Sequence, residues 1–165
     1  MTGPYAVPMA PADGRAQVDE DSTWRMYLGL SREMFTALER GLGAEADVSV
    51  ADLELLEPLL AAGPSGLRAK DLAAAAEWQD SRVSHQLRRM EQRGLVTRTR
   101  DRQDARGTVV CLTEKGVSAA RDAQRTRREI VRTLLLAPLD EDQVRSLVEV
   151  SSLVRARIAE AGTGR

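Results

Sequence analysis

The chain has 165 residues and a formal net charge of −1, a size that suits one domain with a sizeable core. Hydrophobic residues make up 42% of it and aromatic residues only 3%, which predicts a soluble globular protein with a core of Leu, Val, Ala and Met. No apolar run approaches a membrane span, and the N-terminus lacks the features of a signal peptide, so we expect a cytoplasmic location and no membrane partner. One histidine and one cysteine predict no metal site, no cofactor and no catalytic residue, hence no enzyme.

An irregular arm and a helix are predicted for the first part of the chain. Residues 1–20 are rich in Pro and Gly, which predicts disorder. Apolar residues at three-and-four spacing then predict a helix that begins at residue 21 or 22 and runs to residue 38 or 40. Gly41 and Gly43 are expected to end this helix.

Two shorter helices are predicted next. Ser49 and Asp52 have the spacing of a capping box and open a second helix, which Pro58 is expected to bend or shorten. A Gly- and Pro-containing turn at residues 63–66 follows. The third helix is expected over residues 68–77, where alanines allow a neighbouring helix to approach closely.

A fourth helix and a hairpin are predicted after it. Asp80 or Ser81 is expected to cap the helix, and Gly94 to end it. Short strands at 95–100 and 108–112, joined by a polar turn, predict the hairpin.

The chain is expected to end with two more helices. Thr113 is predicted to cap a long helix to about residue 136, and Asp140 to cap the last one. The predicted fold class is therefore mainly α with a small two- to three-stranded β-wing.

The fourth helix has one apolar face and one polar, basic face. On a helical wheel Val83, Leu87 and Met90 fall together and form a buried stripe. The opposite side and its edges carry Ser81, Arg82, Ser84, His85, Arg88, Arg89 and Gln92. Small side chains near the start and arginines further along suit a helix that enters a DNA major groove. The alternative is an ordinary amphipathic surface helix.

The predicted hairpin is basic. Arg98, Arg100, Arg102 and Arg106 surround its turn, and Arg102 and Arg106 near the tip suit a narrow minor groove. Asp104 is expected to hold an arginine in place. Residues 81–106 contain eight arginines and three acidic residues, so their net charge is +5. The remainder of the chain therefore has a net charge of −6. This local basic block indicates a polyanionic partner, although a solvated charged face is the alternative.

The pattern of residues from Leu72 to Gly116 resembles that of the MarR family of bacterial winged helix-turn-helix regulators. The matching pieces, in fixed order, are Leu72-Ala73, Ser81-Arg82-Val83-Ser84, Arg89-Met90-Glu91-Gln92-Arg93-Gly94-Leu95-Val96, Asp104-Ala105-Arg106-Gly107 and Leu112-Thr113-Glu114-Lys115-Gly116. The run from Trp78 to His85 resembles an actinobacterial branch of that family.

The resemblance implies a homodimer that binds double-stranded DNA. Residues 21–48 and 113–161 would form the helical dimerisation region, and residues 49–112 the winged helix-turn-helix lobe. Two recognition helices would then meet successive major grooves of a pseudo-palindromic operator. The DNA contacts that it implies are Ser81, Arg82, Ser84, His85, Arg88 and Arg89 in the helix and Arg106 in the wing, to which the basic hairpin adds Arg102. Asp104 would brace an arginine of the lobe.

The function implied is that of a sequence-specific transcriptional regulator in a bacterial cytoplasm, associated with the nucleoid. We expect a repressor that a small aromatic or anionic ligand releases from DNA; a non-specific architectural DNA-binding protein or an activator is the alternative. The residues expected to line a ligand pocket, for each of which plain core packing is the competing interpretation, are Trp24, Tyr27, Met34, Leu53, Leu56 and Trp78. Cys111 is expected to be a buried structural thiol rather than an oxidation sensor.

Overall fold

The computed structural model describes residues 19–100 and 107–163, and this part of the chain is mainly helical with a three-stranded antiparallel sheet. The predicted fold class is thereby confirmed. The elements are α1 Glu20–Ala46, α2 Val50–Ala62, β1 Leu67–Arg68, α3 Ala69–Ala75, α4 Asp80–Gln92, β2 Val96–Arg100, β3 Thr108–Leu112, α5 Glu114–Ile130 with a π-helical continuation Val131–Leu136, and α6 Glu141–Thr163. Residues 1–18 of the predicted arm lie outside the described residues.

Helix α1 is longer at both ends than the sequence predicted. It begins at Glu20, inside the predicted arm, because the Asp19 carboxylate caps it and accepts from the Ser22 backbone N–H at 3.2 Å. It also runs through Gly41 and Gly43, so the expected end there is wrong. A Cβ on Gly41 would collide with Ile130, the last residue of α5, which shows that this glycine permits close helix packing rather than ending the helix.

Helix α2 begins with the predicted capping box. The Ser49 hydroxyl accepts from the Asp52 N–H at 3.0 Å, and the Asp52 carboxylate accepts from the Ser49 N–H at 2.9 Å. Pro58 does not shorten the helix, which continues to Ala62. The predicted turn at residues 63–66 is present as a short 3₁₀ turn.

The sheet has the strand order β1-β3-β2 with both pairs antiparallel. In the hairpin Val96 pairs with Leu112 and Arg100 with Thr108, which confirms both predicted strands to within one residue. The two-residue strand β1 pairs with the other side of β3, where the sequence predicted the start of a helix. Helix α3 follows it directly and ends two residues earlier than expected, at Ala75.

We define the winged lobe as α2 to β3. The hydrophobic core packs this lobe against helices α1 and α5. Its most buried side chains are Leu42, Leu55, Leu56, Leu59, Leu72, Leu87, Met90, Leu95, Val83, Val96 and Val110. Thr113 caps α5 as predicted, because its hydroxyl accepts from the Gly116 N–H at 2.9 Å. Asp140 likewise caps α6 by accepting from the Gln143 N–H at 2.8 Å.

Candidate nucleic-acid interface

Helix α4 lies on the surface of the winged lobe with one face buried and the other exposed. Val83, Leu87 and Met90 are at most 1% exposed, which confirms the predicted stripe. The residues on the other side are all exposed, namely Ser81, Arg82, Ser84, His85, Arg88, Arg89 and Gln92. The structure therefore presents the whole predicted contact set of the helix to solvent on one continuous surface.

The N-terminal end of α4 has no side-chain cap. The N-cap position is Gln79 rather than Asp80 or Ser81, so the predicted cap is wrong. Asp80 instead occupies the first helical turn. The first backbone N–H groups of a helix have no partner inside it, and they favour an anion such as a DNA phosphate. This end of α4 is therefore compatible with a backbone contact to DNA.

The arginines of the exposed face differ in how they are held. Within the described part of the chain, Arg88 and Arg89 have no ion-pair partner, so their charge is available to a polyanion. The guanidinium of Arg82 lies over the ring of Trp78, with its carbon 3.5 Å from the ring centre. His85 is exposed between them. Three cations thus line one helix face, and one of them is oriented by an aromatic ring.

A buried carboxylate, Asp52, connects the start of α2 to α4. Its side chain is fully buried. One oxygen accepts from Gln86 Nε2 at 2.7 Å and the other from Arg93 Nη1 at 2.7 Å. Arg93 also donates to the Asp47 backbone carbonyl, and this ties the end of α4 to the α1–α2 junction. Asp52 therefore holds α4 in place at the middle and at the end of the helix.

The sequence predicted Asp52 only as a helix cap. Gln86 lies next to the apolar stripe of α4, and this position is the signal in the sequence for a buried polar side chain. A polar side chain that points into a core requires a buried partner, because an unsatisfied buried amide is costly. Asp52 is that partner, and it is the main site residue that the sequence reasoning missed.

The pKa of Asp52 lies below its usual value. Burial alone would raise the pKa and is the largest single influence, but the hydrogen bonds from Ser49 and Arg93 and the charge of Arg93 together outweigh it. Because the native pKa is lower than the unfolded one, the ionised carboxylate stabilises the fold above the ordinary carboxyl pKa. That contribution is lost as the pH falls through the native pKa.

Replacing Asp52 with Asn is therefore expected to lower the free energy of unfolding by about 2–4 kcal/mol at pH 7, since it breaks a buried charge–hydrogen-bond network. Urea unfolding as a function of pH measures this, and the difference from wild type should shrink as the pH falls below about 4. Asp71→Asn, at an exposed carboxylate in the first turn of α3, is the matched control and should cost at most about 1 kcal/mol. Equal stability of Asp52→Asn and wild type at pH 7 would contradict the role of this network.

One arginine of the hairpin, Arg98, pairs with a carboxylate of α4. Arg98 in β2 donates from Nε to Glu91 Oε2 of α4 at 2.9 Å and from Nη2 to the same oxygen. These hydrogen bonds from Arg98 hold the pKa of Glu91 below its usual value. Arg98 therefore braces the wing against α4. Arg102, Asp104 and Arg106 lie outside the described residues.

The six residues predicted to line a ligand pocket are distributed over different surroundings. Leu53 and Leu56 are core residues, at most 4% exposed, as the competing interpretation held. Trp24 and Tyr27 are more than half exposed and stack on each other with ring centres 6.0 Å apart. Met34 is half-buried, and Trp78 donates to Glu54 of α2.

Cys111 is half-buried, so the expectation of a buried thiol is wrong. Side chains alternate along a strand, and the neighbouring Val110 takes the fully buried position of β3. The Cys111 side chain points to the other face, where its sulfur lies 3.9 Å from the Pro64 carbonyl oxygen.

A groove of about 460 Å³ lies where the winged lobe meets α5. Its walls include Leu59, Leu60, Leu112 and Val117, and Arg121 adds a cation. Among residues 19–100 and 107–163, no His, Cys, Asp and Glu side chains form a group that could hold a metal ion. The described helices also include none with the length and apolarity that a membrane crossing requires.

A helix-turn-helix whose second helix is exposed and basic, followed by an antiparallel hairpin braced against that helix, defines a winged helix-turn-helix protein. A family model described as the MarR family matches residues 48–108. AbsC, a MarR family transcriptional regulator from Streptomyces coelicolor, is 31% identical, with a TM-score of 0.75, and the alignment covers 92% of this chain and 99% of AbsC. The chain belongs to the MarR family of transcriptional regulators.

Two further solved structures show the same fold. A second MarR family regulator from Streptomyces coelicolor, solved in complex with DNA, is 29% identical with a TM-score of 0.76, over 87% of this chain and 94% of that one. CouR from Rhodococcus jostii RHA1, solved with bound p-coumaroyl-CoA, is 19% identical with a TM-score of 0.67, over 84% and 95%. A search of curated proteins found no match.

Proposed function

We propose that this regulator binds a pseudo-palindromic operator as a homodimer and acts as a repressor in a bacterial cytoplasm. The observation that carries the proposal is the exposed face of α4, on which Arg82, His85, Arg88 and Arg89 lie together above a buried apolar stripe. Arginines on such a face match guanine edges and phosphates in a major groove. The similar Streptomyces coelicolor regulator solved with DNA supports the same assignment.

Exposed apolar surface on α1 and α6 supports the homodimer. The large apolar side chains that stand exposed are Trp24, Met26, Tyr27, Leu28, Leu30 and Phe35 on α1, Leu134 and Leu136 after α5, and Val148, Val150, Leu153, Val154 and Ile158 on α6. A groove of about 650 Å³ lined by Leu30, Leu134 and Leu147 continues this surface. Such a patch is typical of an interface with another protein.

Fluorescence anisotropy with DNA from the protein's own upstream region tests the function. We expect binding to that DNA that is at least about 10³-fold tighter than binding to a shuffled duplex and that weakens steeply with salt. Equal affinity for both duplexes would contradict sequence-specific regulation and would favour the architectural alternative. A reporter gene behind the bound sequence separates a repressor from an activator, because deleting the protein raises expression in the first case and lowers it in the second.

The groove between the winged lobe and α5 supports a ligand-dependent release from DNA. Its volume falls in the range of small-molecule sites, and its lining is mainly apolar with one cation, Arg121, and one carboxylate, Glu114. Such a lining suits an apolar ligand whose anionic group pairs with Arg121. It lies between the two parts whose relative orientation sets the spacing of the reading helices, so a ligand there would shift the population of DNA-competent dimers. A thermal-shift screen of aromatic carboxylates against wild type and Arg121→Ala tests this site, and equal shifts for both proteins would exclude it.

A further inference from the structure

Trp78 and Arg82 form a stacked pair at the start of α4, where the helix is proposed to meet DNA. The guanidinium carbon of Arg82 lies 3.5 Å from the centre of the Trp78 ring. At this distance a cation is attracted to the face of an indole. Arg82 is exposed and Trp78 half-buried, so the ring covers one face of the guanidinium. The N–H donors lie in the guanidinium plane, so the ring leaves them uncovered for a phosphate or a guanine.

The backbone holds the Trp78 ring from one side. Helix α3 ends at Ala75, and Glu77, two residues later, is in the left-handed conformation, at φ 54°. The Trp78 N–H then donates to the Ala73 carbonyl at 2.9 Å, and the Glu77 N–H donates to the Ala74 carbonyl at 3.2 Å. This is the hydrogen-bond pattern of a Schellman motif, and it fixes the direction in which the chain leaves α3.

The side chain of Trp78 is held from the other side by α2. The indole N–H donates to Glu54 Oε2 at 2.8 Å, and the ring packs against the core of the lobe. With Gln79 as the N-cap of α4, Trp78 stands one residue before the cap, the position from which an apolar side chain normally packs on the first turn of the helix. The position of the ring is thus fixed by a hydrogen bond to α2, by the backbone turn after α3 and by its stacking on Arg82 of α4.

An arginine whose side chain is already restricted by a neighbour loses less conformational entropy on binding DNA than a mobile one. A long side chain loses rotamer freedom when it contacts a phosphate or a base edge, and one that is already stacked has lost part of that freedom before binding. Arg88 and Arg89 have no ring or ion-pair partner within the described chain. Among the described cations on the exposed face of α4, Arg82 is therefore the one whose side chain is most restricted before DNA binds.

We infer that Trp78 is a positioning residue for DNA binding: anchored by Glu54, its ring holds Arg82 in the orientation that contacts DNA. The inference rests on the proposed function, because it assigns a role within the same interface. It also gives Trp78 a role other than that of a ligand-pocket wall.

A double-mutant cycle tests the coupling between the two residues. Trp78→Leu keeps apolar volume but removes the aromatic face, and it is expected to weaken operator binding by about 5- to 25-fold for a dimer with two such pairs. In an Arg82→Ala background the same change should have almost no further effect on affinity. An undiminished effect in that background would overturn the inference, since Trp78 would then act by shaping the helix-turn-helix alone.

The Glu54 anchor provides a matched pair of variants that leaves the ring and the cation in place. Glu54→Ala and Glu54→Gln both remove the negative charge, but only Gln keeps an oxygen that can accept from the indole N–H. We expect Glu54→Gln to bind the operator several-fold more tightly than Glu54→Ala. Equal affinities of these two variants would contradict the anchoring step, and the comparison remains decisive if Trp78→Leu fails to fold.

The stack itself can be observed without DNA. Protons above an indole face experience a ring-current shift, so the Arg82 side-chain resonances of the wild type should lie upfield of those of Arg88 and Arg89. The shift should disappear in Trp78→Leu and persist in Trp78→Phe. An absent shift in the wild type would overturn the inference. The protein could also show the shift but no preference for its own upstream DNA. That result would count against the proposed function, and the pair would then have no role in DNA binding.

Discussion

Replacing Val154 with Asp in α6 is expected to separate the proposed dimer and to weaken binding to a two-half-site operator by about 10²- to 10⁴-fold. Val154 is 49% exposed and lies in mid-helix on the apolar stripe that also contains Val148 and Ile158. A symmetric interface would bury two such carboxylates among apolar side chains, and removing these charges from water is costly. Loss of the dimer leaves each subunit with a single half-site, which removes the gain from simultaneous binding.

Ala156→Asp is the matched control for this change. It introduces the same charge in the same helix, but residue 156 follows 154 by about 200° around the helix and so lies away from the apolar stripe. Sedimentation or light scattering should show monomers for Val154→Asp and dimers for Ala156→Asp, while circular dichroism should show helix in both. A Val154→Asp protein that remains dimeric and keeps its operator affinity would contradict the assignment of α6 to the interface.

The helix-turn-helix could be predicted from sequence because its determinants are local. The apolar stripe of α4 follows from periodicity alone, and Gly94 ends the helix in the left-handed conformation, at φ 72°, as predicted. The hairpin follows from two short strands around a polar turn. Each of these features depends on residues of a single helix or a single hairpin, so a single sequence contains the whole signal.

The remaining features depend on contacts between distant residues. Gly41 was expected to end α1, and only the approach of Ile130, far along the chain, shows why the helix continues through it. Asp52 accepts hydrogen bonds from Gln86, 34 residues away, and from Arg93, 41 residues away. The Glu54 anchor of Trp78 is 24 residues from it. No periodicity or capping rule connects such positions, because the fold alone brings them together.

Replacing Arg88 with Ala is expected to weaken specific DNA binding by about 1–3 kcal/mol in each half-site and to relax the base preference there. Arg88 is exposed at the centre of the polar face of α4, opposite the buried Val83, and within the described chain it has no ion-pair partner that would compete with DNA. Its side chain can therefore reach a base edge, whereas a contact to phosphate alone would lower the affinity for all sequences equally. The fold should be unaffected, since the removed atoms lie in solvent.

Arg125→Ala is the control for the loss of one positive charge. Arg125 is an exposed arginine of α5 that pairs with Asp122 one turn away, outside the winged lobe. Any general electrostatic effect of removing a cation should appear in both variants, while a base-specific effect should appear only in Arg88→Ala.

The central claim, that the exposed face of α4 reads bases, is tested most directly by measuring the affinity of wild type, Arg88→Ala and Arg125→Ala for an operator and for all its single-base-pair variants. We expect wild type and Arg125→Ala to discriminate at the same positions, and Arg88→Ala to lose discrimination at one symmetry-related pair of positions. An Arg88→Ala protein that discriminates at every position as the wild type does would contradict the claim.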